Sequence, residues 1–131
     1  MSQENVEMAK QVIDAFNRRE VEALLDLATA DCQMTSQLLD ATADFQDREG
    51  IERYYGMLTE SWEELQAVAQ EYRDLGDRVL VLGRNRGRGK GSGVPVEGPF
   101  GAVLDFRDGK ISRIRLVVDH GEALRVAGLA D

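Results

Sequence analysis

Val6, Ala9, Ile13 and Phe16 recur at steps of three and four, so residues 4–18 predict an amphipathic helix with its charges on the opposite face. Val21, Leu24, Leu25 and Leu27 predict a second, short helix that ends before Thr29. A short strand follows over 32–36. Residues 37–46 show no clear period and read as a loop, after which Asp47 can cap a third helix starting near Arg48. Its inner stripe is Ile51, Tyr54, Tyr55, Leu58 and Trp62. Beyond Glu64 the period changes and strands are predicted over 65–73, 78–90, 94–106 and 110–118. Leu75-Gly76-Asp77 and Arg107-Asp108-Gly109 supply tight-turn residues, and Gly91-Ser92-Gly93 a looser connection, so these strands should pair as an antiparallel meander. A last short helix begins after Asp119, which stands at capping-box spacing from Glu122, and its apolar side is Ala123, Leu124 and Ala127.

Helices followed by a meander imply a single α+β domain over 1–131, with a curved antiparallel sheet packed against the N-terminal helices. Gly83, Gly87, Gly89, Gly98 and Gly101 inside strand patterns predict bulges or sharp bends. A bent sheet closing over a helix makes a cone, and its wide end is where a pocket lined by large apolar side chains would form.

Composition removes several function classes. Sixteen Lys and Arg against 24 Asp and Glu give a formal charge of −8, which repels phosphate backbones and anionic membranes, so neither nucleic acid nor membrane is an expected partner. The N-terminal stretch is polar, and the longest apolar run, Val79 to Leu82, is far short of the roughly 20 residues that span a bilayer; a cytoplasmic protein is expected. One cysteine, Cys32, and one histidine, His120, leave no Cys/His cluster at metal-ligand spacing, so no metal and no cofactor are expected.

Ala15-Phe16-Asn17-Arg18, Ala30-Asp31-Cys32, Arg48-Glu49-Gly50-Ile51, Phe106-Arg107-Asp108-Gly109-Lys110-Ile111 and Glu122-Ala123-Leu124 follow one another in an order that resembles the SnoaL-like branch of the nuclear transport factor 2-like superfamily. The resemblance covers nearly the whole chain and implies the cone-shaped α+β fold shared with ketosteroid isomerases and limonene epoxide hydrolases. It does not imply one activity. Ketosteroid isomerases carry a tyrosine late in the first helix, a general-base aspartate after the first strand and a protonated aspartate on a later strand. The matching positions here are Val12, Ser36 and Gly101 or Ala102, which cannot do that work. SnoaL-type cyclases use an acid in the middle of the last strand, where this chain has Ile114, Leu116 and Val118. Epoxide hydrolases of this fold use two aspartates around an arginine; Arg84, Arg86, Asp105 and Arg115 lie on strands but do not reproduce that set.

The candidate site residues follow from the cone. Phe16, Met34, Tyr54, Tyr55, Leu58 and Trp62 would be its walls, and a tyrosine or tryptophan there either packs or offers a donor to a ligand carbonyl. Asp119 and His120 are neighbouring acid and imidazole, the pair best suited to proton transfer, with Tyr54 as a possible third group. Strand neighbours point to opposite faces, however, and Asp119 has a structural task as a helix cap. Arg84, Arg86, Arg88 and Lys90 alternate into a basic stripe that could hold an anion or remain solvated, Arg84 being the member placed among the ligand contacts. Asp40 and Asp44 lie in the loop over the cone mouth, as functional acids or as solubilising residues.

Two readings result. One is a pocket protein for a small hydrophobic, carbonyl-bearing metabolite, an isomerase, cyclase or hydratase without cofactor. The other is a non-catalytic dimeric module binding a ligand or a protein. A homodimer through the outer sheet face is expected under both.

Overall fold

The computed structural model describes residues 2–38 and 44–129. In chain order they form α1 (Ser2–Arg18), α2 (Val21–Leu27), β1 (Ala28–Ser36), β2 (Asp44–Gln46), α3 (Asp47–Ser61), β3 (Trp62–Asp74), β4 (Arg78–Gly89), β5 (Pro95–Arg107), β6 (Lys110–Val117) and α4 (His120–Ala127). The strands make one mixed sheet in the order β2-β1-β6-β5-β4-β3. The expected meander is present, with antiparallel pairs β3–β4, β4–β5 and β5–β6. To it the fold adds β1, which runs parallel to β6, and β2, which pairs antiparallel with the outer side of β1. The α+β class with a curved, open sheet holds.

The predicted boundaries move in three places. The first strand begins directly at Ala28, so α2 ends without a connecting loop. The last residues of the stretch read as a loop, 44–46, form β2. Trp62 is not on the helix stripe: it opens β3 with extended backbone at the end of α3.

Helix termini follow their sequence signals. The Asp47 carboxylate accepts the N–H groups of Glu49 (3.1 Å) and Gly50 (3.3 Å), and the Asp119 carboxylate accepts the N–H of Glu122 at 2.8 Å. Only half of the capping box forms at α4. The Glu122 carboxylate instead accepts from the Gln37 amide, whose Oε1 accepts the N–H of Val118, tying the end of β1 to the start of α4. Gly128, at φ 87°, ends α4 in the left-handed conformation.

Alternation along the strands gives the sheet two buried faces. On the concave face Val79, Val81, Phe100, Ala102, Leu104 and Ile114 meet Ala9, Val12, Phe16, Leu24, Ile51, Tyr54 and Leu58 from the three N-terminal helices. On the convex face α4 covers Leu80, Leu82, Val103 and Val117 with Ala123 and Ala127. Gly101 is what admits α4: a Cβ there would lie 2.3 Å from the Ala123 Cβ. Gly83 faces the other way, where a Cβ would lie 2.1 Å from the Val68 carbonyl oxygen, beside the irregularity that bends β3 between Ala69 and Glu71.

Asn17 joins the first helix to the sheet edge. Its amide donates to the Ala67 carbonyl (2.9 Å) and its Oδ1 accepts the Ala67 N–H (2.7 Å), as a neighbouring strand would. The next turn is closed by Arg19 at φ 57°, whose guanidinium donates to the carbonyls of Phe16 and Leu65 (3.2 Å to the latter) and stacks on the Phe16 ring.

Candidate functional site in the cone

The concave core is not filled. Between α1 and the sheet lies a small cavity of about 30 Å³, walled by Phe16, Met34, Tyr55, Leu104, Ile114 and Leu116 among others. Four positions at which the resemblance places catalytic groups in relatives line it with apolar side chains: Val12, Ala102, Ile114 and Leu116. Toward the open end lies a second space of about 320 Å³, a vestibule walled by Gln37, Trp62, Leu65, Val96, Pro99 and Val118. Leu38 and Asn85 border both spaces.

Asn85 is the exception in this apolar lining. It follows Val79, Val81 and Gly83 on the inward face of β4 and is 8 % exposed, yet its Oδ1 has no hydrogen-bond partner. An unpaired buried carbonyl oxygen costs about 1–3 kcal/mol. Nothing in the strand requires this: leucine or valine would suit a wall residue there. The sequence signal was the break in the apolar series 79, 81, 85, obscured by the arginines on either side.

The aromatic residues separate into different tasks. Tyr55 lines the cavity, and no side-chain hydrogen bond restrains its hydroxyl. Tyr54 is fully buried beneath it, its hydroxyl 2.9 Å from the Ser36 Oγ, its ring packed edge-on against Phe45 and Tyr55. Burial pushes the Tyr54 phenol up to about 12, against the partly offsetting Ser36 hydrogen bond and the nearby Arg19 charge. Burial likewise raises the Tyr55 phenol. Both hydroxyls therefore stay protonated throughout the physiological range. Burial lowers the Arg19 guanidinium from its ordinary value, with the two tyrosines opposing that shift.

Of the predicted wall, Phe16, Met34 and Tyr55 reach the cavity, and Trp62 reaches the vestibule, where its indole N–H donates to the Leu38 carbonyl at 3.4 Å. Tyr54 and Leu58 are core residues behind the wall. Arg84 does not enter: the inward residues of β4 are Val79, Val81, Gly83 and Asn85, so Arg84 and Arg86 stand exposed on the convex face, and Arg88 pairs there with Glu64 at 2.7 Å. The expected Asp119–His120 pair does not form a site. The Asp119 carboxylate is occupied by its helix, while the His120 Nε2 hydrogen-bonds the Gly83 carbonyl at 2.8 Å, at the start of the helix that packs on the convex face. His120 is accordingly half-buried. Asp40 lies outside the described residues, and Asp44 opens β2. Among the described residues, no three His, Cys, Asp or Glu side chains stand together as a metal set, and no helix is long and apolar enough to cross a membrane.

Comparison with known proteins agrees with the geometry. Solved structures share the whole architecture. An NTF2-like protein of unknown function from Burkholderia pseudomallei superposes with a TM-score of 0.81 over 95% of this chain and 97% of its own, at 19% identity. A Jannaschia protein provisionally named a SnoaL-like polyketide cyclase gives 0.80 over 99% and 94%, at 20% identity. A protein of ketosteroid isomerase-like fold from Catenulispora acidiphila, solved with trimethylamine, gives 0.78 over 94% and 93%, at 21% identity. No curated protein matches the chain in sequence. The family profile of the SnoaL-like domain matches residues 9–114, from the first helix through the β6 wall of the cavity, and the chain belongs to that family.

Proposed function

We propose that this protein binds a small organic molecule at the open end of the cone, holding it by apolar contact and by one neutral polar anchor. The observation that carries this reading is Asn85, a buried amide whose Oδ1 is unpaired at the border of a cavity and a vestibule. A core position with no binding task gains nothing from such a group. The Catenulispora relative, crystallised with the very small trimethylamine, supports the idea that this fold accepts compact ligands.

The lining also bears on catalysis. Asn85 and Tyr55 can orient or polarise a carbonyl, but neither removes a proton at neutral pH, because an amide is no base and burial raises the phenol. The described lining thus supports binding more strongly than isomerase, cyclase or hydratase chemistry. A dimeric protein-binding module gains less support, since α4 covers Leu80, Leu82, Val103 and Val117 on the convex face and the arginines of β4 surround the exposed Val68 beyond it.

A thermal-shift screen of small ketones, alcohols and polycyclic compounds tests the reading. A ligand at a hundredfold its Kd adds about 2.7 kcal/mol, which raises the Tm of a domain this size by about 5 °C or more. No shift across the whole set would contradict it.

A further inference from the structure

Resting on that reading, we infer that the ligand is a neutral hydrogen-bond acceptor, a compact ketone or ester, that lies in the vestibule with its carbonyl oxygen on the Asn85 Nδ2. The orientation of the amide leads there first. At the edge of an apolar core one end of the group is shut in, and an enclosed carbonyl forfeits one acceptor where an enclosed NH₂ forfeits two donors. The structure has the less costly arrangement. Oδ1 is sealed from solvent, and with 8 % of Asn85 still accessible the reachable end of the amide is Nδ2. No described residue accepts a hydrogen bond from it. The cavity wall is apolar almost throughout, so this donor faces the vestibule.

The rest of the vestibule narrows the chemistry. Two other polar side chains border it, and both are committed: the Gln37 amide donates to the Glu122 carboxylate and accepts the Val118 N–H, while the Trp62 indole donates to the Leu38 carbonyl. Asn85 is thus the free side-chain donor among the described residues of the wall. Leu65, Val96, Pro99 and Val118 supply apolar contact, and none of the described wall residues is ionisable. A carboxylate or phosphate would lose its water there without a countercharge. An alcohol would bring an O–H that these walls leave unpaired, whereas a ketone or ester brings acceptor lone pairs alone. At about 320 Å³ the space has room for a ring-sized body behind the carbonyl.

The probes are acetophenone and α-methylstyrene, which share a phenyl ring and a shape and differ in whether a carbonyl oxygen is present; binding to the full chain is followed in amide NMR spectra. Both should move the Trp62 indole signal, and acetophenone alone should carry the Asn85 side-chain NH₂ signals downfield. Because the ring is common to both probes, its own influence on those signals cancels in the comparison. Asn85→Leu should weaken acetophenone about tenfold, the worth of one buried hydrogen bond, while α-methylstyrene stays within about threefold, so the ratio of the two affinities moves about tenfold toward the hydrocarbon. An unmoved ratio, or acetophenone bound without a change at the Asn85 NH₂, would overturn the acceptor assignment while leaving the pocket intact. If neither probe moved the Trp62 signal, the binding reading would fall and this inference with it. The NH₂ signals are read on the wild-type protein, so that comparison stands even if the substitution impairs folding.

Discussion

On the convex side of the sheet α4 sits so close that Gly101 has no room for a methyl group, and every large side chain beneath it is covered. On the concave side, one residue further along β5, Ala102 looks into a cavity that α1, with bulkier side chains, does not fill. The two faces share the same strands and the same curvature, so the sheet itself does not cause the gap. Close helix approach needs small residues at the contact, which Gly101, Ala123 and Ala127 provide and which Phe16, Leu24 and Tyr55 do not. The convex face is packed for stability, and the concave face keeps space and an unpaired amide at some cost to it.

Matched substitutions at adjacent residues would break this contrast most readily. Gly101→Val should cost about 3 kcal/mol, because α4 must move away. Ala102→Val places the same group on the cavity side and should cost at least about 2 kcal/mol less. Equal losses in urea unfolding would mean that the concave face is as tightly packed as the convex one. Asn17→Ala removes both hydrogen bonds that fasten α1 to the β3 edge and should cost about 2 kcal/mol. The same unfolding titration checks it, with an unchanged midpoint as the contrary result.

The two tyrosines sharpen the distinction between core and cavity wall. Tyr54→Phe loses the bond to Ser36 and should cost about 1 kcal/mol, whereas Tyr55→Phe, with no hydrogen bond to lose, should be nearly neutral. Reversal of that order would exchange their roles. The smallest effect at neutral pH belongs to Cys32, whose thiol burial pushes up to about 12. The unfolded thiol ionises from about pH 8.5 upward while the folded one stays protonated, so this group's contribution is complete below that pH and falls by up to about 1.4 kcal/mol per pH unit above it. Native protein should resist iodoacetamide near pH 8 and react only on unfolding; rapid native alkylation would show the thiol to be accessible.

Much of the fold was legible because it is local. Steps of three and four marked the helices, Gly and Asp marked the hairpins, and Asp119 marked α4 by a carboxylate cap that forms, although Glu122 does not complete the box. The parallel pairing of β1 with β6 was not legible, since it joins segments about 80 residues apart through tertiary packing alone. Trp62 was misplaced because apolar periodicity runs on past a helix end that the backbone decides. At the site, the residues with reactive groups are the ones that stand out in the sequence. Asp119 and His120 adjoin in sequence but are committed to a helix cap and a strand carbonyl, while Asn85 passed unremarked between two arginines that point away from it. The apolar walls Phe16, Met34 and Tyr55 were readable from pattern; the single polar group among them depended on strand phase.

The central claim, that Asn85 is kept for a ligand at the expense of the fold, is tested most directly by the unfolding free energy of Asn85→Leu against wild type without ligand. Leucine keeps the branched skeleton of asparagine and has no orphan acceptor, and the adjoining cavity can take up its larger methyl groups, so the variant should be more stable by about 1–2 kcal/mol. A loss of 1 kcal/mol or more would show that the Asn85 amide is already satisfied within the fold and would contradict the account.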